Sequence, residues 1–196
     1  MNENHAKLCA SPEWAAYLHD EVLPAVTRGR DLGETLLEVG PGPGASTDWL
    51  RHRVARLVAV ELDGDAARAL SDRFADTNVE VVNEDATALP FDDGCFDATG
   101  SFTMLHHLPT AALQNRLLAE LLRVLRPGGV LIGSDSLPSV ELHHFHEGDI
   151  YNPIEPATLL TRLQTLGYER ITLGVDHAVT FVAYKPDPDA PGWGEG

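Results

Sequence analysis

The chain has 196 residues, of which 43% are hydrophobic, and a formal net charge of −16. It is too short for two ordinary domains but can bury a substantial core, and its acidity would repel polyphosphate backbones, so no nucleic-acid partner is expected. No apolar run approaches the roughly 20 residues that span a bilayer, and the first residues lack a signal-peptide layout, so we expect a cytoplasmic protein with no membrane partner. Cys9 and Cys95 lie far apart without a CxxC or Cys/His spacing, which predicts reduced thiols.

The elements begin with a predicted helix from Ser11 to about Arg28, capped by Ser11, with Pro12 in its first turn and a kink at Pro24. Five short apolar runs follow as candidate buried strands, at 36–39, 55–60, 79–82, 95–102 and 129–134. Helical patterns lie between most of them, at 46–53, 64–75 and 109–125. This alternation predicts a parallel sheet with helices on both faces.

The chain changes character after the fifth strand. Residues 138–153 show no clear periodicity, which predicts a long loop of the kind that often acts as a lid. A helix is expected after Pro156 with its stop at Gly167, followed by an antiparallel hairpin of strands 169–175 and 178–184. The Pro-, Gly- and acid-rich tail, 186–196, is predicted to be flexible.

The central motif is Glu38-Val-Gly40-Pro-Gly42-Pro-Gly44-Ala45, placed where a first strand ends and a helix begins. Glycines let the backbone turn sharply and approach a ligand closely, and the N–H groups of the next helix can face an anionic group. Gly40, Gly42 and Ala45 also satisfy the dinucleotide fingerprint G-x-G-x-x-G/A. This spacing therefore leaves both a nicotinamide cofactor and another adenosine-containing ligand open.

Two acidic positions extend the motif. Glu61 directly follows the second apolar run, where its carboxylate could accept hydrogen bonds from both hydroxyls of a ribose, as in NAD enzymes. Asp85 follows the third run, and its carboxylate could accept from an exocyclic amine such as that of adenine. A dinucleotide fold has no particular need for this second carboxylate.

Taken in order, these segments resemble the class I S-adenosylmethionine-dependent methyltransferases, particularly their small-molecule branch. The family's first motif is similar to LLEVGPGPG, its ribose motif to VAVELD, and its adenine motif to NEDATALPF, with DDGCFD leading into the fourth strand. Its exit from the fourth strand is similar to SFTMLHHL, and its last helix and fifth strand to LLRVLRPGGVLIGSD, so the resemblance runs in register over 36–135.

The resemblance implies a Rossmann-like, doubly wound α/β fold with a seven-stranded sheet, mostly parallel with an antiparallel last strand, and helices on both faces. A single domain over 1–185 would then hold an N-terminal helix at 11–30, a cofactor-binding core at 36–135, a variable loop at 136–154 and a C-terminal helix and hairpin at 155–185. The implied cofactor is S-adenosyl-L-methionine, and the implied activity is in-line methyl transfer to a small organic acceptor.

Carried over by position, the resemblance assigns nine residues to the cofactor. The methionine end would be surrounded by Glu38, Gly40, Gly42 and Gly44, the ribose would meet Glu61 with Leu62 beside it, the adenine would meet Asp85 and Ala86, and Ser101 would lie beneath the reactive centre.

Catalysis is harder to assign, because methyl transfer to an activated carbon needs mainly alignment and exclusion of water. Where an acceptor must lose a proton, a histidine is a natural base, and His106 and His107 follow the fourth strand on the edge that faces the cofactor. A helix-capping or space-filling role is the alternative for both.

The acceptor pocket is predicted to involve the first helix and the variable loop, through Trp14, Tyr17, His143, His144, His146 and Tyr151. Core packing is the alternative for the two residues of the helix, and a solvated surface for those of the loop. Histidines and carboxylates suit zinc or iron, but the spacing His144-Phe145-His146 does not bring both rings to one face of a helix or strand. No metal is therefore predicted.

Other functions stay open on the sequence alone. The chain could be a non-catalytic S-adenosylmethionine-binding module, an NAD-dependent oxidoreductase, an aminopropyl transferase of the same fold, or a doubly wound domain whose glycines only form a tight turn. Its oligomeric state is expected to be a monomer or a homodimer.

Overall fold

A seven-stranded sheet organises the computed structural model, which describes residues 7–190. The strands are β1 (Thr35–Val39), β2 (Arg56–Glu61), β3 (Val79–Asn83), β4 (Phe96–Phe102), β5 (Leu125–Ser136), β6 (Glu169–Val175) and β7 (Ala178–Tyr184). The helices are α1 (Pro12–Tyr17), α2 (Leu23–Thr27), α3 (Ala45–Leu50), α4 (Gly64–Arg73), α5 (Ala111–Val124), α6 (Val140–Phe145) and α7 (Pro156–Leu166). A π-helical turn (Leu18–Val22) joins α1 to α2, and a 3-10 turn (Leu105–His107) follows β4.

The strand order is β3-β2-β1-β4-β5-β7-β6. Strands β1 to β5 pair in parallel, while β7 is antiparallel to both β5 and β6. The predicted Rossmann-like sheet with its C-terminal hairpin is therefore confirmed. Because β2 and β4 lie on opposite sides of β1, the connections diverge there and leave a crevice at the carboxyl ends of the strands.

Both faces of the sheet are covered by helices. Leu37 of β1 faces a core layer that includes Leu117 and Leu121 of α5, while its neighbour Leu36 faces a second layer with Leu50 of α3 and Leu70 of α4. Successive side chains of a strand point to opposite faces, so a strand covered on both sides needs a continuous apolar run. This explains why the first strand reads as an apolar segment that only the buried Glu38 interrupts.

The N-terminal helix differs from the prediction in the position of its irregularity. Ser11 caps it as expected, since its side chain accepts the backbone N–H of Trp14. The irregularity is the π-helical turn just before Pro24, where the N–H of Leu23 donates to the carbonyl of Leu18, five residues earlier. Because Pro24 lacks an N–H, the chain loses one α-helical hydrogen bond there, and a local rearrangement costs less than in an intact helix.

The variable segment is more ordered than expected. It contains the short helix α6, whose first turn is capped by Ser139, which accepts the N–H of Leu142 at 3.0 Å. None of the residues of α6 is buried, so the helix has no apolar stripe from which a sequence pattern could predict it. The prediction of an irregular loop over the whole segment was wrong on this point.

The predicted flexible tail falls partly within the described chain. Just before it, the backbone of Lys185 pairs with β5, since its N–H donates to the carbonyl of Gly129 and its carbonyl accepts the N–H of Gly128. A turn follows in which the N–H of Ala190 donates to the carbonyl of Asp187. Residues 191–196 lie outside the described residues. Within the described 7–190, no helix is both long and apolar enough to cross a membrane.

Candidate functional site

The carboxyl ends of β1 to β4 open onto a cavity of about 940 Å³. Its walls come from the glycine loop after β1, the segments after β2, β3 and β4, the N-terminal helix, and the chain that follows α6. Six of the predicted cofactor residues line it, namely Gly40, Gly42, Glu61, Leu62, Asp85 and Ala86. The fold thus brings together three motifs that the sequence keeps about 20 residues apart.

The glycine loop presents main chain to the cavity. Gly40, Gly42 and Gly44 all have positive φ, at 62°, 52° and 85°, a region that residues with a Cβ rarely adopt. A Cβ at Gly40 would overlap the side chain of Met104, whereas the space in front of Gly42 is open. A ligand can therefore approach the backbone at Gly42 without displacing a side chain.

A cation that sequence reasoning missed holds this loop. No lysine or arginine occurs in residues 31–50, but the guanidinium of Arg73, at the end of α4, donates to the carbonyl of Pro43 and lies 4.0 Å from the carboxylate of Asp48. Arg73 also lines the cavity. Its only sequence signal is a basic residue in the last turn of a helix, which usually indicates nothing beyond helix-end electrostatics.

Three predicted cofactor residues lie behind the cavity wall. Glu38 is buried, and its carboxylate accepts the hydroxyl of Ser46 and, at 2.7 Å, that of Thr47. Burial raises the pKa of the Glu38 carboxyl from 4.5 to about 7, with the two hydroxyl hydrogen bonds opposing the shift. Gly44 forms the N-cap of α3, and Ser101 is buried in β4 beside Val39 of β1.

The two acidic positions sit at successive strand ends. Oε1 of Glu61 accepts the N–H of Asp63 at 3.0 Å, and Oδ1 of Asp85 accepts the N–H of Thr87 at 2.8 Å. These contacts fix each carboxylate at the cavity wall. A further residue, Asn83, clamps the turn after β2, because its amide donates to the carbonyls of Glu61 and Leu62 at 2.8 and 2.9 Å.

The turn after β4 is strained at the cavity. Thr103 lines the cavity with φ at 50°, and its N–H donates to the carbonyl of Ser134 at 2.8 Å. A β-branched residue in this region is a genuine outlier, and such strain concentrates at functional sites. No sequence pattern predicts it.

The two candidate bases occupy different environments. His107 lines the cavity, whereas His106 is buried behind it, with the two ring centroids 4.2 Å apart. Nδ1 of His106 lies 2.7 Å from Oδ1 of Asp135, a fully buried residue of β5, whose Oδ2 accepts the N–H of His106 at 3.3 Å. Only His107 is therefore placed to meet a substrate directly.

The predicted acceptor-side residues do not form one pocket. Trp14 lines the cavity, while Tyr17 packs against Trp14 with ring centroids 5.5 Å apart and is not part of the wall. His143 lines a separate groove of about 430 Å³, and His144 is exposed with Nδ1 2.9 Å from Oε1 of Glu147.

Two further residues of the variable segment turn inward. His146 is buried and stacks on Tyr151, with ring centroids 4.4 Å apart and planes inclined by 20°, and Tyr151 also borders the separate groove. The segment contributes Asp149 and Ile150 to the main cavity instead, and neither was predicted.

The comparisons with known proteins agree with this geometry. Residues 37–133 match the family model described as a methyltransferase domain. The demethylmenaquinone methyltransferase of Clavibacter sepedonicus is 39% identical over 112 residues, which is 56% of this chain and 44% of that protein. The fatty-acid O-methyltransferase of Mycolicibacterium smegmatis is 33% identical over 112 residues, 56% of this chain and 40% of that protein.

A solved structure gives the same fold. Phosphoethanolamine N-methyltransferase 2 of Haemonchus contortus in complex with S-adenosyl-L-methionine superposes with a TM-score of 0.71 and 15% identity, covering 85% of this chain and 51% of that chain. The family model, these relatives and the solved structures support a class I S-adenosylmethionine-dependent methyltransferase domain over residues 37–133. The chain spans less than half the length of the first two curated relatives, 44% and 40%.

S-adenosylmethionine is the cofactor of this methyltransferase family, and the cavity fits it. The cofactor has a sulfonium and an ammonium group against one carboxylate, so an acidic wall attracts it. The charged side chains of the wall are five carboxylates and one guanidinium, from Glu61, Asp63, Glu84, Asp85, Asp149 and Arg73. The hydroxyl of Ser101 is buried without a hydrogen-bond partner among residues 7–190. It lies on the same sheet edge as the open space at Gly42.

Proposed function

We propose that this protein transfers the methyl group of S-adenosylmethionine to a small organic acceptor by in-line displacement. The observation that carries the proposal is the single cavity that the glycine loop, Glu61 and Asp85 share. An NAD-dependent oxidoreductase would use the loop and Glu61 but has no particular need for Asp85.

The residue roles follow from their positions. Gly40 and Gly42 would lie along the methionine end of the cofactor, Glu61 and Leu62 along the ribose, and Asp85 with Ala86 along the adenine, because these residues line successive strand ends. Glu38 and Gly44 would act through the loop, as positioning residues, since hydroxyls of α3 engage Glu38 and Gly44 caps that helix. Ser101 would lie below the sulfur.

Catalysis would depend mainly on alignment. When bound, the cofactor supplies a methyl group already activated by its sulfonium sulfur, so the chain has to hold the acceptor opposite that bond and exclude water. The apolar wall around the turn after β4 suits that role, with Phe102, Met104, Leu108 and Ile150 on one side and Trp14 of α1 on another.

His107 is the candidate base for an acceptor that must lose a proton. Its ring lies on the cavity wall, and a ring nitrogen could take the proton of a hydroxyl or an ammonium group as the methyl group arrives. The buried pair of His106 and Asp135 lies directly behind it and would orient the turn rather than touch the acceptor.

The acceptor is inferred to be a small molecule with an apolar body. The acidic surface disfavours a nucleic acid, the cavity wall near the turn after β4 is apolar, and the two curated relatives are named for demethylmenaquinone and a fatty acid. We also propose that residues 1–185 act as one unit, as a monomer or homodimer in the cytoplasm, which size-exclusion chromatography and cell fractionation would check.

An isotope-transfer experiment tests the proposal. The protein is incubated with S-adenosylmethionine labelled in its methyl group and with a panel of a quinol, a long-chain fatty acid and a secondary amine, and both S-adenosylhomocysteine and labelled product are measured. Transfer to one member of the panel, lost in Glu61→Ala and kept in Glu80→Ala on the exposed side of β3, is the expected result. Hydride transfer with NAD and no binding of S-adenosylmethionine would overturn the proposal. Binding of S-adenosylmethionine with no methyl transfer to any acceptor would favour a non-catalytic module.

A further inference from the structure

The histidine cluster, formed by His106, His107 and His146, gathers three imidazoles beside the turn after β4, where His107 lines the cavity and the other two are buried behind its wall. One potential ligand atom from each ring lies within 4.8 Å of those of the other two. Two of these residues belong to the 3-10 turn after β4, and the third follows α6, about 40 residues later. Only the fold brings them together; the sequence spacing that argued against a metal was that of His144-Phe145-His146, which includes neither His106 nor His107.

The outer contacts of two of the rings assign their hydrogens. Nδ1 of His106 lies 2.7 Å from Oδ1 of Asp135, which also accepts the N–H of Ser136. Nδ1 of His146 lies 2.6 Å from the carbonyl of Leu142. A carboxylate and a carbonyl can only accept, so in the neutral rings both Nδ1 atoms carry the hydrogen and both Nε2 atoms carry the lone pair.

This is the arrangement that metal-binding histidines show. A ligating imidazole almost always donates its other N–H to a carboxylate or a backbone carbonyl, which fixes the ring and raises its basicity as a ligand. Here the ring of His106 faces a carboxylate and that of His146 faces a backbone carbonyl. The carboxylate, that of Asp135, is fully buried. Packing of aromatic rings alone does not require either contact.

We propose that the histidine cluster binds a divalent transition metal, with Zn²⁺ as the best fit. Three neutral imidazoles are a ligand set that suits zinc, with a fourth tetrahedral position left for water or substrate. Nitrogen ligands around zinc lie about 3.4 Å apart, from bonds of about 2.1 Å, so small side-chain rotations close the set from its present spacing. Because His107 lines the cavity, the fourth position faces the acceptor side.

The ion would have two consequences beyond the proposed methyl transfer. It would tie the variable segment to the end of β4, fixing the part of the wall made by Asp149 and Ile150. It would also place a Lewis acid where an acceptor oxygen or nitrogen enters. His107 cannot be both a zinc ligand and a free base on one molecule, so metal binding replaces the base role given above.

Zinc titration of the tag-free, chelator-treated protein tests the proposal without any cofactor or acceptor. Calorimetry and metal analysis should give one Zn²⁺ per chain, and zinc should raise the Tm of the wild-type protein. His146→Ala should abolish binding, whereas His144→Ala, which removes an exposed imidazole two positions away, should leave it unchanged. Asp135→Asn should weaken binding by about 10- to 100-fold, since it removes the charged acceptor of the His106 ring; the same carboxylate also accepts the backbone N–H groups of His106 and Ser136.

A second variant keeps the test clear of folding defects. His146→Phe retains a ring to stack on Tyr151 but has no ligand atom and loses the contact with the Leu142 carbonyl. Its own Tm without zinc is therefore the baseline, and the zinc-induced rise above that baseline should disappear. S-adenosylhomocysteine binding to the same variants reports separately on the cofactor site. Absence of zinc binding by the wild type, or equal binding by His146→Ala and His144→Ala, would overturn the proposal and leave the cluster as aromatic packing.

Discussion

The two halves of the carboxyl edge of the sheet are built in different ways. At the ends of β2 and β3, Glu61 and Asp85 each accept an N–H of their own turn, from Asp63 and Thr87, and Asn83 braces the neighbouring turn after β2. At the ends of β4 and β5, His106 is held by Asp135, 29 residues away, and meets His146 of the variable segment. The first half is therefore encoded by short motifs, and the second by tertiary packing.

The largest effect is expected at the glycine loop of the first half. Gly40→Ala would force a positive φ on alanine and overlap Met104, and should cost about 3 to 4 kcal/mol of stability. S-adenosylhomocysteine affinity should fall at least 100-fold in calorimetry. Gly29→Ala is the matched control, because Gly29 also has a positive φ but a Cβ there would meet nothing within 4 Å, and it should cost only about 1 kcal/mol. Equal losses of stability in the two variants would mean that Met104 does not constrain the loop.

The buried Glu38 carboxyl should give the first half a characteristic pH dependence. Its pKa is about 7 in the folded state against an ordinary 4.5, so between these pH values the folded protein holds the extra proton. The free energy of unfolding should therefore fall as pH rises through this window, by about 3 kcal/mol at most, and level off above it.

Glu38→Gln isolates that contribution. The amide keeps the shape and can still pair with the hydroxyls of Ser46 and Thr47, but it does not titrate. Denaturant unfolding should show that the free energy of unfolding of the wild type falls from pH 5 to pH 8, and that this fall is absent in the variant. The same slope in both proteins would place the titrating group elsewhere.

The second half can be loosened through Gln114 without touching the cofactor motifs. The buried amide of Gln114 donates to the carbonyl of Leu105 at 3.0 Å and to that of Asn152 at 2.8 Å, joining the 3-10 turn to the variable segment. Gln114→Ala removes both hydrogen bonds, although the carbonyl of Leu105 keeps the N–H of Leu108, and should cost about 2 kcal/mol. Acceptor KM should rise while S-adenosylhomocysteine affinity stays within a few-fold. Gln164→Ala, at an exposed position of α7, should change neither quantity. A loss of S-adenosylhomocysteine affinity in Gln114→Ala would mean that the two halves are not separable.

The smallest expected effect concerns Arg73, the cation that the sequence did not reveal. Arg73→Met removes the contact with Pro43 at an exposed position, so stability should change by about 1 kcal/mol or less and cofactor affinity by a few-fold. Arg68→Met, on the same helix but paired only with Asp65 among the contacts described, should leave affinity unchanged. Equal affinities in both variants would show that the loop holds its shape without Arg73.

The limits of sequence reasoning follow the same division. The mostly parallel sheet with its C-terminal hairpin and the placement of Glu61 and Asp85 on the cavity wall were predictable, because apolar runs and turn residues are local and parallel strands end on one edge. The sequence could not predict whether Glu38 faces a ligand or the hydroxyls of α3, because that depends on the orientation of its side chain. The meeting of His146 with His106, and the helix α6 that carries it there, depend on packing across the chain and left no periodic signal.

Calorimetric titration with S-adenosylhomocysteine and with NAD, on the wild-type protein and on Glu61→Ala and Glu80→Ala, tests the central claim most directly. The cofactor assignment predicts that S-adenosylhomocysteine binds the wild type and Glu80→Ala alike, and that affinity falls at least 100-fold in Glu61→Ala, because the two ribose hydroxyls lose a charged acceptor. NAD should not bind. NAD binding without S-adenosylhomocysteine binding, or an unchanged affinity in Glu61→Ala, would contradict the assignment of this cavity.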